Sequence, residues 1–195
     1  RKSKADKYCL LRILRALGTR SRKIRKRQYL SDFDFRFETP EDNQNFENAQ
    51  KGRGEWEHIK LPHYRGPVGR WTAFYRSEFK FYASAGKRVW LNFLGADYIA
   101  NVYLNGRYVG SHEGMFAPFK FEVTKILKRG KNIILIELKN DLPTVGIEGD
   151  RIDGDKIYAA TGLGWDDPQV GWHHCPPGGG IYNKVFLEET PDYLI

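Results

Sequence analysis

From Tyr29 onward the apolar residues recur at every second position, and this period limits what the chain can fold into more than any other feature. A period of two puts alternate side chains on one face of an extended strand, whereas a helix needs spacings of three and four. In Phe33-Asp34-Phe35-Arg36-Phe37 rings alternate with charge, and Val89, Leu91 and Phe93, then Ile134, Ile136 and Leu138, repeat the pattern. Further strands are predicted at Thr72 to Tyr82, Ile99 to Leu104, Arg107 to Gly110, Phe119 to Val123 and Ile181 to Glu188. Asn105-Gly106 lies between two of them, and because both residues tolerate positive φ it marks a tight hairpin. Gly86-Lys87 and Gly130-Lys131-Asn132 read as other turns. About eight strands with no helix-period segment between them predict an all-β fold: an antiparallel β-sandwich of the jelly-roll type.

A chain of 195 residues allows one domain plus a tail, since domains run to roughly 100 to 200 residues. Hydrophobic residues are 41% of it and aromatics 14%, enough for a core and too much for general disorder. No apolar run approaches the roughly 20 residues that span a bilayer, so no membrane partner is expected. The formal charge of +8 is unevenly placed. Residues 1–29 hold 12 Lys/Arg against the single Asp6, whereas the remainder has 20 basic and 23 acidic side chains. The expected organisation is a basic extension over 1–28, the sandwich over 29–190, and the start of a linker to a further domain at 191–195. Arg20 to Arg27 could neutralise phosphates, but no aromatic beyond Tyr8 interleaves with the charges, which argues against nucleic acid. Arg12 and Arg15 cut the apolar stretch Leu10 to Leu17, so it cannot serve as the core of a signal peptide. Cys9 and Cys175 stand far apart and suggest no disulfide framework.

One segment breaks the strand rhythm. Asp141 to Gly180 carries nine Gly, four Pro, two Trp and seven acidic residues, and it reads as a long surface loop. Asp150, Asp153 and Asp155, with Glu148 and Gly154, offer hard oxygen ligands for Ca²⁺, but their spacing matches no full calcium loop, and a solvated acidic turn is expected instead. His173, His174 and Cys175 are zinc-ligand types, yet three consecutive residues cannot easily converge on one tetrahedral ion. No cofactor is expected.

Several spaced motifs occur in a fixed order. Val89, Leu91, Phe93, Gly95 and Asp97 are followed by Ala100, Val102 and Leu104-Asn105-Gly106. Val109-Gly110, His112, Gly114, Pro118-Phe119, Phe121 and Val123-Thr124 come next. Upstream stand Trp56, Ile59, Leu61-Pro62-His63, Tyr75-Arg76 and Phe79; downstream stand Gly130, Asn132 and Gly179-Gly180-Ile181-Tyr182 with Val185. Over roughly residues 30 to 190 this pattern closely resembles the N-terminal sugar-binding, jelly-roll domain of glycoside hydrolase family 2, the family of β-galactosidases, β-glucuronidases and β-mannosidases. In residue terms most of it is core and turn chemistry. Gly110, Gly114 and Pro118 would break strands around His112, Phe116, Phe119 and Phe121 would fill the space between sheets, and Arg76 would pair with a carboxylate near Glu78 or with Asp97.

Glycosidic hydrolysis needs two carboxyl groups flanking the scissile oxygen. The resemblance implies that both are glutamates on a (β/α)₈ barrel beyond this domain and a second sandwich, and no barrel fits in this chain. Glu188-Glu189 is no substitute, because adjacent strand residues point to opposite faces. The chain alone is therefore expected to lack hydrolytic activity. The resemblance further implies an accessory role: bracing the barrel of a β-galactosidase-like enzyme and reaching a loop into its sugar pocket, with a β-glycoside and the downstream domains of the same polypeptide as partners. Trp172 matches a Trp of that loop in the β-galactosidase branch. Trp165, Asp166, Asp167, Trp172, His173 and His174 are the candidate sugar-binding residues, since aromatic faces stack on pyranose C–H groups and carboxylates or imidazoles bond to hydroxyls. The alternative is an independent carbohydrate-binding module using the same loop. No residue of the chain is expected to be catalytic.

Overall fold

The alternating segments form two antiparallel sheets laid face to face. The computed structural model describes residues 26–65, 71–140, 143–145, 151–153 and 179–191. One sheet has four strands in the order β1 (Arg27–Leu30), β14 (Val185–Pro191), β6 (Lys87–Phe93) and β9 (Phe119–Glu122). The other has six: β3 (Glu57–Lys60), β2 (Asp32–Phe37), β5 (Trp71–Phe81), β10 (Gly130–Asn140), β7 (Ile99–Leu104) and β8 (Arg107–Glu113). Two short ladders complete the set, β11 (Pro143–Val145) with β12 (Arg151–Asp153), and β4 (His63–Tyr64) with β13 (Gly180–Ile181). The protein is an all-β, jelly-roll β-sandwich.

The core lies between the sheets, filled by one set of alternate residues from each strand. Phe33, Phe35, Ala73, Tyr75, Val102, Leu104, Ile134 and Ile136 meet Val89, Leu91, Phe93, Val185 and Leu187. The long β5–β10 pairing, from Gly130↔Phe81 to Asn140↔Trp71, fixes the register of the six-stranded sheet. A slip of one residue would turn its whole apolar set outward. Asn105 and Gly106 have φ of 53° and 79°, and Leu104 pairs with Arg107 across them, so the hairpin between β7 and β8 stands where the sequence places it.

The structure departs from expectation in several places. A helix, α1 (Asn45–Lys51), interrupts the strands and packs Ala49 on Phe74 and Leu135 of the six-stranded sheet's outer face, with Phe46, Trp56 and Tyr103 around them. Two apolar residues in under two turns carry too little periodicity to announce a helix; the carboxylate of Asp42, bonded to the Gln44 N–H and the Asn48 amide, supports its start. Gly130 opens β10 instead of closing a turn. β8 continues through Gly110 to Glu113, so the chain does not break before His112. The predicted strand Ile181 to Glu188 divides at Tyr182, and 141–180 contains the β11–β12 ladder. Phe119 and Phe121 pack on the core, but Phe116 is 66% exposed and fills no intersheet space. Arg76 pairs with Glu78 itself at 2.9 Å. β1 starts at Arg27, two residues inside the basic stretch, with Arg27 bonded to Glu188 at 2.7 Å and Lys26 to Glu189 at 3.3 Å.

Candidate functional site

The site candidate is the end of the sandwich at which the chain leaves and rejoins the sheets on either side of 66–70 and of 141–178. The segments 66–70 and 141–178 have four stems, and the fold gathers all of them. Trp71 pairs with Asn140, so the exit of one segment adjoins the entry of the other. Arg65 donates its N–H to the Gly179 carbonyl at 2.9 Å, and Gly180 and Ile181 pair with Tyr64 and His63. Asp97 closes the group, exchanging backbone bonds of 2.9 and 3.3 Å with Gly180. The approach is so close that a Cβ on Gly179 would lie 2.6 Å from the Trp71 ring, and one on Gly180 would lie 2.3 Å from the His63 carbonyl oxygen. Only glycine fits at this return point.

The polar side chains around the stems form a chain of contacts. Asp97 is 1% exposed, and its carboxylate accepts the Tyr64 hydroxyl at 3.1 Å. Tyr64 meets Tyr182 edge to face, and the Tyr182 hydroxyl donates to the Met115 carbonyl. Burial, and then the charge of Asp97, push the Tyr182 hydroxyl up. His63 Nδ1 lies 2.9 Å from the Tyr75 hydroxyl. Burial drives that hydroxyl strongly up, only partly offset by its bond to the Ile181 backbone, so it remains protonated. The His63 ring is held below the usual histidine range by burial and then by the Arg65 charge, against a smaller opposing pull from Glu57. In the tautomer in which Tyr75 donates to Nδ1, the proton of the neutral imidazole sits on Nε2.

That Nε2 is buried and has no partner among the described residues, and the same holds for Trp71 Nε1 and His112 Nε2. His112 stacks on Phe119 with centroids 4.1 Å apart, and burial lowers its pKa against a smaller opposing bond from Gly114. An unpaired buried donor costs about 1–3 kcal/mol. The stem end thus holds unmet hydrogen-bonding capacity: Trp71 Nε1 is a donor, and each histidine Nε2 donates or accepts according to the ring's tautomer.

The paired acids of β14 have a different job. Glu188 points to the outer face and binds Arg27; Glu189 points the other way and accepts from the Ser84 hydroxyl at 2.7 Å and from Lys26. Burial pushes the Glu189 carboxyl up, but the Ser84 hydroxyl and N–H together with Lys26 outweigh it and hold it below the usual range. Both acids bind the sheet edge together. Trp165, Asp166, Asp167, Trp172, His173 and His174 lie outside the described residues, as do Asp150, Asp155, Cys9 and Cys175; Asp153 falls in β12. Among the described residues there is no cluster of three or more metal-ligating side chains, and no helix is long and apolar enough to cross a membrane. Trp71 and His63 were missed as site residues because their role arises from contacts among β4, β5 and β13; the sequence singled out Asp97 as part of a motif and as a partner for Arg76, which pairs with Glu78 instead.

This fold, with four stems gathered at one end, defines a galactose-binding-like β-sandwich. Residues 64–157 match the family described as glycosyl hydrolase 2 galactose-binding domain-like. A β-glucuronidase of Formosa agariphila is 36% identical over 129 residues, covering 64% of this chain and 12% of that protein. A β-galactosidase of Thermoanaerobacter pseudethanolicus is 30% identical over 123 residues, covering 55% and 17% respectively. The structure of Bifidobacterium dentium β-glucuronidase complexed with coumarin-3-O-glucuronide superposes with a TM-score of 0.63 at 26% identity, covering 88% of this chain and 31% of that one. The match to the glycosyl hydrolase 2 galactose-binding domain-like family extends over just under half of the chain, and the chain spans only a minor part of these relatives.

Proposed function

We propose that the chain is the accessory domain of a family 2 β-glycosidase, bracing the catalytic barrel and presenting its loops to the sugar pocket. The observation that carries this reading is the convergence of four loop stems on Trp71, Gly179 and Asp97 at one end of the sandwich. Loops rooted on a rigid sheet edge can hold polar and aromatic groups against a pocket completed by another domain. Trp165 and Trp172 would stack on the sugar, and Asp166, Asp167, His173 and His174 would bond to its hydroxyls. The substrate class is a β-glucuronide or β-galactoside, in keeping with the names of the relatives. The chain alone supplies part of a pocket and no hydrolysis.

A chimera tests this: residues 26–191 replace the matching domain of the Formosa agariphila β-glucuronidase, and release of nitrophenol from its aryl β-glucuronide is followed. The expected result is retained turnover, with Trp172→Ala raising KM and leaving kcat nearly unchanged, the signature of lost ground-state binding. A folded chimera without turnover, or one indifferent to Trp172→Ala, overturns the pocket role. Saturable binding of a monosaccharide to the isolated chain below about 1 mM would instead make it an independent carbohydrate-binding module.

A further inference from the structure

The outer face of the four-stranded sheet, opposite the core, is paved with rings and cations. Register puts Tyr29, Phe186, Asn92 and Lys120 in one row across β1, β14, β6 and β9, and Arg27, Glu188, Trp90 and Glu122 in the next. Each ring carries a cation: Lys184 lies 5.8 Å from the Tyr29 centroid, Arg27 5.0 Å from Phe186, and Lys120 4.5 Å from Trp90. Arg27 is paired with Glu188, and Arg88 approaches Glu122 at 3.9 Å. Lys120 and Lys184 have no carboxylate partner among the described residues.

At the Tyr29 end this face runs into a cleft of about 280 Å³, with Tyr29, Leu30, Leu61 and Pro62 as walls and Lys184 on its lining. Tyr29 is 52% exposed, with Lys184 beside its ring. From Tyr29 to Lys120 the row crosses four strands, roughly 14 Å at the usual strand spacing.

We propose that this cleft and the adjoining sheet face bind an anionic glycan, a uronate-bearing oligosaccharide, separately from the loop end. One sugar ring seats in the cleft against Tyr29 with its carboxylate on Lys184, and the chain continues over the sheet to a second carboxylate on Lys120. Charge complementarity supports the choice, because the face is cationic on a body whose residues from 30 onward hold more acids than bases. A platform for nucleic acid presents successive open rings for base stacking; here Phe186 is 5% exposed, and Tyr29 and Trp90 stand in different rows, each with a lysine over its ring, so no run of open rings crosses the face. The choice of a glycan over other polyanions rests on the family reading given above.

Titration of the full chain with a hyaluronan hexasaccharide, cellohexaose and oligothymidylate, by calorimetry, tests this. Saturable hyaluronan binding is expected, weakening as salt is raised, with no binding of the neutral cellohexaose and weaker binding of oligothymidylate. The double variant Lys120→Ser, Lys184→Ser should bind hyaluronan roughly tenfold more weakly with an unchanged melting temperature. The proposal is overturned by absence of hyaluronan binding, by equal binding of cellohexaose, by oligothymidylate binding as tightly, or by an unaffected double variant, in which case the basic segment 1–25 carries the charge interaction. None of these outcomes touches the chimera result, so the two readings fail independently.

Discussion

At the hairpin end of the sandwich every polar atom of the Asn132 side chain is used, while at the loop-stem end the ring nitrogens of His63, Trp71 and His112 have no partner among the described residues. Asn132 is fully buried. Its amide donates to the Lys128 and Gly130 carbonyls and accepts from Asn105 Nδ2 and the Lys128 N–H, all four at 2.8 Å. Asn105 in turn donates to the Ile126 carbonyl and accepts the Ile133 N–H. This end is chemically closed and needs nothing from outside. The other end carries a desolvation cost that a further group would remove, which is the expected pattern where a domain meets a ligand or another domain.

The largest effect should come from breaking the closed end. Asn132→Ala removes both donors and both acceptors at once and strands the Asn105 amide and the Lys128 backbone in a buried place. A loss of about 2–4 kcal/mol is expected, read from urea unfolding with an unchanged m-value. A loss below about 1 kcal/mol would mean that this network contributes little net stability and that the two ends do not differ energetically.

The closed end was also the more legible one in the sequence. Asn105-Gly106 announces its own turn, because two adjacent residues that tolerate positive φ between alternating runs have few other uses. The long strands β5, β6, β7 and β10 were readable for a similar reason: one face of each is buried, so the period of two is strict. Helix α1 and strands β1, β3, β4 and β13 were not legible, since each is held by contacts with distant residues and is too short to show a period. The stem end is built from such contacts. Trp71 packs on Gly179 and Asp97 bonds to Gly180, across separations that no local pattern encodes. Motif resemblance pointed to the right family, while the candidate sugar-binding residues fall in the segment outside the described residues.

An intermediate effect distinguishes the ends by pH. His63 and His112 are both held below the usual histidine range, chiefly by burial, and so resist protonation in the folded state. Their contribution is fully present above the unfolded value of about 6.5. As pH falls below it the unfolded chain takes up protons that the folded rings refuse, and stability declines until the lowered folded values are reached. The depressed carboxyls of Glu78 and Glu189 act only below about pH 4.5, outside this window. Thermal unfolding between pH 7 and 5 should therefore fall more steeply in the native chain than in His63→Gln, His112→Gln, whereas the Asn132→Ala deficit should stay constant. Parallel profiles for the native chain and the histidine variant would show that these rings are not desolvated, which removes one half of the comparison.

The smallest effect probes the orphan donor itself. Trp71 is 9% exposed, packs edge to face on Phe37 at 5.6 Å and backs onto Gly179, so Trp71→Phe would relieve the unpaired N–H but also open a gap against Gly179. These terms oppose, the first favourable by about 1–3 kcal/mol and the second unfavourable by a similar amount, and the net change should be under about 1 kcal/mol. Replacing the indole by benzothiophene through nonsense suppression separates them, since it keeps the ring's shape and deletes only the N–H. In the isolated chain this substitution should leave stability unchanged or raise it by about 1 kcal/mol, because no bond is lost and a buried donor no longer goes unmet. In the chimeric glucuronidase the same substitution should lose that gain if the barrel supplies an acceptor. A clear destabilisation in the isolated chain would mean that Nε1 already has a partner, and the stem end would then be as closed as the hairpin end.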